Sequence, residues 1–151
     1  GGSDTHGVTI KILKILKKNF INATIHVGPS FSHYKELEKE ITKNYKILNN
    51  IPSLIEEFSK YDLAITGGGI TPFEANASGL PCLIIANECH EKKNALFLEK
   101  IETSKFIGHY KNIDETIFSN VENLNLKSMS KNGIEKFNTI AVQEIYKEIM
   151  S

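Results

Sequence analysis

The sequence predicts an α/β fold built on a mostly parallel sheet with helices on both faces. Short apolar runs alternate with amphipathic helical patterns along almost the whole chain, which is the order that parallel sheets require. Residues 82–86 are apolar at every position, which is typical of a strand buried on both faces. No repeat, linker or low-complexity segment interrupts the 151 residues. We therefore expect a single Rossmann-like domain.

The predicted helices show apolar residues that recur every three to four positions. In residues 5–19 these are Val8, Ile12, Ile15 and Leu16. Further helices are predicted over residues 34–43, 52–59, 71–78, 91–101, 113–120 and 133–150. In the third helix, Leu54, Ile55 and Phe58 are expected to face the core. In the last, one side of the helix carries Ile134, Phe137, Ala141 and Ile145.

The predicted strands are short apolar runs closed by glycine or proline. They cover residues 23–27, 45–48, 63–66, 82–86 and 105–107. Gly28 and Pro29 close the first strand, and Gly79 followed by Pro81 stops the helix over 71–78.

Composition excludes several classes of function. The 18 basic and 18 acidic residues balance, with a pI near 7.1, so nothing favours nucleic acid or an anionic membrane as a partner. No apolar run approaches the ~20 residues of a membrane span. Cys82 and Cys89 have no disulfide-framework spacing, which indicates reduced thiols and a cytoplasmic setting.

A run of three glycines, Gly67, Gly68 and Gly69, follows the strand over 63–66. We expect it to leave backbone amides bare, and we expect Thr71 and Pro72 to be the N-cap and first residue of the next helix. Bare amides at a helix start attract anions. One glycine would suffice for a tight turn, which is the alternative interpretation, whereas three in a row favour the close approach of a phosphate.

The chain opens on a second loop of this kind. Gly2, Ser3 and Thr5 are predicted to line the ligand pocket, whereas Asp4 is assigned to helix capping because its carboxylate would repel a phosphate. Two such loops indicate a nucleotide diphosphate ligand. A loop of this type normally follows a strand, so we expect the chain to be a fragment, or the separated half, of a larger protein.

Other chemistry receives little support from the sequence. His6 and His90 lie near predicted strand ends, where they could contact a ligand or be ordinary loop residues. Cys89 and His90 lack the further ligands of a zinc site, and no base is evident for a cysteine nucleophile. The glycine run matches neither a Walker A loop nor a dinucleotide fingerprint. We predict no metal and no cofactor.

The order of these motifs resembles the C-terminal domain of GT-B nucleotide-sugar enzymes. The motifs are the opening Gly1-Gly2-Ser3-Asp4, the stretch Asn50-Ile51-Pro52-Ser53-Leu54, the glycine loop with Glu74, and Gly79-Leu80-Pro81. Two branches are similar: the UDP-sugar hydrolase of pseudaminic acid biosynthesis with its spore-coat-polysaccharide relatives, and the N-acetylglucosaminyl transferase that makes lipid II. The opening motif and the spacing of Asn94, Ala95 and Leu98 favour the hydrolase-like branch.

The resemblance implies roles for particular residues. The loop glycines and the hydroxyl residue Thr71 would meet the diphosphate, and Glu74 would bind the ribose hydroxyls. The other residues of the nucleotide-sugar site would be Ile70, His90 and Asn94. Thr71 and Glu74 also match a capping box, so capping is the structural alternative for Glu74. The hydrolase branch shows Asn-Gln where this chain has His90-Glu91.

The resemblance also implies how the chain would work. It would bind UDP or a UDP-sugar without a metal, as the donor half of a glycosyltransferase or hydrolase in surface glycan biosynthesis. The catalytic base would lie in an N-terminal domain, supplied in cis or in trans, so the chain alone would bind without turnover. Any membrane contact would come through that other domain. The alternatives are a non-catalytic donor-binding subunit and an interaction domain that has lost the ligand.

Overall fold

The computed structural model describes residues 7–28, 31–49, 54–119 and 121–137. The chain groups into two compact units, Gly1–Pro52 and Ser53–Ser151. Within the described ranges, no helix is both long enough and apolar enough to cross a membrane.

The first unit is a repeated helix–strand arrangement. Its elements are α1 (Val8–Lys18), β1 (Ala23–Val27), α2 (Tyr34–Glu40) and β2 (Tyr45–Asn49). β1 and β2 pair in parallel with Ala23 opposite Tyr45. α1 buries Ile10, Ile12, Leu13, Ile15 and Leu16, because these positions form one stripe of the helix.

The second unit is a three-stranded parallel sheet with helices. Its elements are α3 (Leu54–Phe58), β3 (Ala64–Thr66), α4 (Thr71–Ala77), β4 (Cys82–Ala86), α5 (Cys89–Lys100), β5 (Ser104–His109) and α6 (Leu126–Lys136). Three short 3-10 turns, Tyr110–Asn112, Glu115–Phe118 and Val121–Asn123, lie between β5 and α6. The strand order is β3-β4-β5, and every pairing is parallel. The predicted α/β class with parallel strands is confirmed.

β4 is the centre of the second unit, because it pairs on both edges and all five of its residues are buried. Its side chains Cys82 and Ile84 pack in one apolar cluster with residues of the surrounding helices. The Phe73 ring lies 6.4 Å from Phe97 in a stacked arrangement and 6.3 Å from Phe137 edge-on. The helices are thereby fixed to the strand whose carboxyl end leads to the candidate site.

A small polar network crosses this core. Asn76 is 1% exposed; its Nδ2 donates to the Leu80 carbonyl at 2.9 Å, and its Oδ1 accepts from Ser104 Oγ at 2.9 Å. Both groups of the amide are therefore satisfied, as burial requires. Burial also raises the pKa of the neighbouring Cys82 thiol to about 12, so this thiol is neutral and serves packing.

Three helices end in the same backbone motif, in which the residue after the C-cap takes a left-handed conformation. This residue is Phe20 after α1 (φ 57°), Gly79 after α4 (φ 87°) and Glu102 after α5 (φ 61°). Each motif carries the expected pair of hydrogen bonds to the last helical turn. Glycine adopts this conformation freely, whereas a residue with a Cβ loses about 1–2 kcal/mol.

The structure corrects several sequence predictions in the second unit. Residues 113–120 are not an α-helix: the described part of this range contains the 3-10 turn Glu115–Phe118. The last helix begins at Leu126, so Gly133 lies inside it, and residues 138–150 fall outside the described ranges. Ile55, predicted to face the core, is 55% exposed. Ile134, predicted to share one side of the last helix with Phe137, is 57% exposed, whereas Phe137 is buried. The periodic pattern correctly placed both residues in helices, but the side chain of each lies outside the buried face of its helix.

The contact between α4 and α6 depends on the absence of a side chain at Gly133. A Cβ at this position would lie 2.2 Å from the Asn76 carbonyl oxygen, which is backbone and has no room to yield. We expect Gly133→Ala to destabilise the chain by about 1–3 kcal/mol or more, although alanine favours helix. Lys131→Ala, on an exposed face of the same helix, should change stability by less than about 0.5 kcal/mol. Denaturant unfolding of both variants measures the difference; equal stabilities would contradict the close packing.

Candidate functional site

Two loops meet where the neighbouring parallel strands β3 and β4 end. Residues 67–70 follow β3 and lead into α4, and Asn87 with Glu88 follows β4 and leads into α5. Because the strands are parallel and paired, with Thr66 opposite Ile84, both loops leave the same edge of the sheet. Ligands of open α/β sheets bind at this edge.

The Gly68 peptide is held against α5 from both sides. Its N–H donates to Glu91 Oε1 at 2.8 Å, and its carbonyl accepts from Asn94 Nδ2 at 2.8 Å. Asn87 Nδ2 donates to the same Glu91 oxygen at 3.5 Å. Residues from the β4–α5 region therefore fix the position of the glycine loop.

The three glycines differ in how much space a side chain would have at each position. A Cβ on Gly68 would lie 2.6 Å from both the carbonyl oxygen and the Cβ of Glu91. A Cβ on Gly67 would meet Glu91 Oε1 at 3.3 Å, which a small shift would relieve. A Cβ on Gly69 would meet nothing within 4 Å. Packing thus requires glycine at 68, whereas no described neighbour requires it at 69.

The prediction that all three glycine amides are bare is wrong for Gly68, because its amide is occupied by the Glu91 carboxylate. The backbone amides that follow Gly68 in the loop differ from it in their hydrogen bonding. Among the described residues, the amides of Gly69 and Thr71 have no hydrogen-bond partner. Two donors of the loop therefore remain available to an anion.

The start of α4 also differs from the prediction. Ile70 occupies the N-cap position and Thr71 already belongs to the helix, and no side chain caps this helix. The capping box between Thr71 and Glu74 is therefore not formed. The half-buried Glu74 carboxylate has no hydrogen bond or ion pair with any described residue. The structural alternative for Glu74 is removed, and its carboxylate is available to a ligand.

The remaining predicted site residues are less informative. Ile70 is 55% exposed, and His90 is exposed in the first turn of α5. Asn94 is 9% exposed, and its Nδ2 donates to the Gly68 carbonyl of the glycine loop. Gly2, Ser3, Thr5 and His6 lie outside the described residues. Cys89 is exposed, and the described residues contain no group of three or more His, Cys, Asp or Glu side chains arranged for a metal.

Glu91 is the residue that sequence reasoning missed as a determinant of the site. It appeared only as a departure from Asn-Gln, with no role of its own. Its contact with Gly68 joins residues 23 positions apart, which a local pattern does not reveal. The usable signal was an acidic side chain in the first turn of a helix that follows the strand next to a glycine loop.

The two neighbouring glycines give a direct test of this geometry. Gly68→Ala should destabilise the chain by about 1–3 kcal/mol, because the new Cβ meets the Glu91 backbone. Gly69→Ala should change the free energy of unfolding by about 0.5 kcal/mol or less. Thermal or denaturant unfolding compares the pair. Equal losses at both positions would mean that α5 does not approach the loop at Gly68.

Comparisons with known proteins agree with this architecture. The sequence profile of the glycosyltransferase family 28 C-terminal domain matches residues 7–149. The uncharacterized protein MJ1062 of Methanocaldococcus jannaschii is 32% identical over 156 aligned residues, which cover 97% of this chain. The spore coat polysaccharide biosynthesis protein SpsG of Bacillus subtilis is 28% identical over 104 residues, or 63% of this chain.

A solved structure shows the same fold. The crystal structure of MurG from Acinetobacter baumannii superposes with a TM-score of 0.75 over 99% of this chain, at 17% identity. The chain spans 47% of that MurG chain and 30% of each of the two sequence relatives. Because the family profile covers nearly the whole chain, this protein belongs to the glycosyltransferase family 28 C-terminal domain family.

Proposed function

We propose that this chain is the donor-binding half of a GT-B enzyme of surface glycan biosynthesis, and that it holds a nucleotide-activated sugar with UDP as the nucleotide. One observation carries the proposal. Among the described residues, the amides of Gly69 and Thr71 and the carboxylate of Glu74 have no partner, and all three groups lie within residues 69–74, which follow β3. Donors for phosphate and an acceptor for hydroxyls are the two kinds of group that a nucleoside diphosphate needs.

The diphosphate would bind the Gly69 and Thr71 amides. Fixed N–H groups stabilise the charge of a departing diphosphate without reorganisation at the moment of reaction, as oxyanion-hole donors do. The free space around Gly69 lets a phosphate approach the backbone closely. The sequence contains no Asp-x-Asp pair, so we propose that this binding does not depend on a divalent cation.

The nucleoside would lie along α4. Glu74, half-buried and one turn after Thr71, would accept hydrogen bonds from the two ribose hydroxyls. The exposed Ile70 side chain would give the base an apolar surface. His90 and Asn94 of α5 would face the sugar side. The assignment of Gly2, Ser3 and Thr5 to the ligand stays a prediction from the sequence alone.

Transfer or hydrolysis would need an N-terminal GT-B domain, in cis or in trans. The family membership and the share of MurG that the chain covers support this proposal. The choice between transferase and hydrolase depends on that domain, because it would supply the base that activates the acceptor.

We expect the chain alone to bind UDP more tightly than ADP or GDP, and to bind it equally well with magnesium or with EDTA. Isothermal calorimetry with the three nucleotides measures both effects. Gly69→Ala should weaken UDP binding while it leaves unfolding unchanged, because its methyl group would enter the space of the phosphate. Equal affinities for the three nucleotides would remove the assignment of the base. A strict requirement for magnesium would contradict an amide-bound diphosphate.

Glu74 gives the sharpest test of the nucleoside position. Glu74→Gln keeps the length of the side chain and removes the charge that strengthens the hydrogen bonds to ribose. We expect UDP affinity to fall by about 1–2 kcal/mol, roughly tenfold, with no change in melting temperature. Because no capping box forms, Glu74→Ala should also leave stability within about 0.5 kcal/mol. Glu122→Gln, at an exposed 3-10 turn, is the matched control for charge. Unaltered affinity in Glu74→Ala would end the ribose assignment.

A further inference from the structure

The last strand of the second unit, β5, contains an extra residue near its carboxyl end. Regular pairing with β4 ends with Ile84 opposite Phe106. The next pair is Ile85 with Gly108, which leaves Ile107 without a partner in β4. Gly108 has φ 136°, a conformation that residues with a side chain rarely adopt, and an added Cβ there would meet no described atom within 4 Å. The backbone of this β-bulge, and not packing, therefore requires the glycine.

The bulge determines where His109, the last residue of β5, lies. It brings His109 opposite Ala86, whereas unbroken pairing would bring Gly108 there. A register shift of one residue also reverses the face to which the following side chain points. His109 is thereby placed on the face of the sheet that carries Ile84, on which α5 packs. Bulges beside functional sites commonly re-aim a side chain in this way.

Two contacts fix the His109 ring. Its Nδ1 accepts a hydrogen bond from the Lys111 amide at 3.3 Å, and the centre of the Tyr110 ring lies 4.5 Å from the centre of the imidazole. Because Nδ1 is the acceptor, the neutral ring carries its proton on Nε2. Among the described residues, this Nε2 has no hydrogen-bond partner, and the residue is half-buried. The ring therefore presents one oriented hydrogen-bond donor.

Helix capping does not explain why this residue is a histidine. The Nδ1 contact makes His109 the N-cap of the 3-10 turn Tyr110–Asn112. The side chains that cap the next 3-10 turn and α6 in the same way are Asp114 and Asn125. These short acceptors are among the usual N-caps, and histidine is not. The imidazole adds what they lack, a second nitrogen that reaches beyond the cap.

His109 lies at the edge of the sheet that holds the candidate site. The strands β3, β4 and β5 are parallel neighbours, so their carboxyl ends lie side by side. Neighbouring strands are about 4.8 Å apart, which puts the end of β5 about 10 Å from the end of β3. The residues that we assign to the nucleotide, from Gly69 to Glu74, follow β3. His109 is thus separated from them by β4, from whose carboxyl end α5 begins.

We propose that His109 binds the sugar of the nucleotide-sugar by donating a hydrogen bond from Nε2 to a pyranose hydroxyl. This inference rests on the proposed function, because it adds a third strand end to the same site. A phosphate joined to a pyranose ring can span the two strand spacings between the Gly69 amide and His109. A hydroxyl oxygen is a suitable acceptor for a neutral imidazole N–H, and a pyranose presents several. The nucleotide itself does not need this contact.

Two substitutions of His109 separate sugar binding from capping. The side-chain oxygen of Asn can take the place of Nδ1, whereas the amide nitrogen of Gln can take the place of Nε2. His109→Asn should keep the melting temperature and weaken binding of UDP-N-acetylglucosamine or UDP-glucose, whichever binds more tightly, about fivefold to tenfold. Its affinity for UDP should stay unchanged. His109→Gln should show the reverse, with a lower melting temperature and an affinity for the same UDP-sugar within about twofold of the unaltered chain.

Calorimetry with UDP and the two UDP-sugars, together with thermal unfolding, decides the outcome. Asp114→Asn alters the cap of the neighbouring 3-10 turn and should leave all three affinities unchanged. Unchanged binding of both UDP-sugars by His109→Asn would overturn the proposal. Equal losses in the Asn and Gln variants, or a loss that includes UDP, would also overturn it. Failure of the unaltered chain to bind UDP or either UDP-sugar would instead refute the proposed function, and the sugar contact with it.

Discussion

The two hydrogen bonds that hold the Gly68 peptide against α5 set the geometry of the candidate site. They join the loop after β3 to the helix after β4 and so fix the position of the loop. The close approach excludes a Cβ at Gly68, and the Glu91 carboxylate occupies the Gly68 amide. Among the described residues, the amides of Gly69 and Thr71 have no hydrogen-bond partner. A structural glycine thus positions the neighbouring backbone that we assign to the ligand.

The same contact restricts where an anion can bind. The Glu91 oxygen lies 2.8 Å from the Gly68 nitrogen, so a carboxylate already occupies one end of the loop. Two like charges 4 Å apart repel by about 4 kcal/mol near a protein surface, which is comparable to the binding energy of a weak ligand. A diphosphate on this loop would therefore lie toward Thr71 and away from Glu91. That side of the loop is also the one nearer to Glu74 along α4.

Local patterns predicted the strands and most helices of this chain, because short apolar runs and glycine stops are local properties. β1 and β4 have the predicted bounds. α6 was placed too late, because its centre holds the polar run Lys131-Asn132 and Gly133 resembles a helix start. The glycines predicted the candidate site, but the sequence did not predict the contact that positions them. Glu91 reaches Gly68 only once β3 and β4 pair, and that pairing is a property of the fold.

The three left-handed helix ends show the limit of a sequence rule that recognises helix stops by glycine. A pattern search recognises Gly79 as a helix stop and passes over Phe20 and Glu102, although the backbone is the same at all three. Glycine is favoured at this position but not required, since about 1–2 kcal/mol is within the margin that a folded domain tolerates. Phe20 and Glu102 are both exposed, so neither side chain is held in this conformation by burial. The left-handed backbone at these three positions therefore follows from the hydrogen bonds of the helix end and not from the residue type.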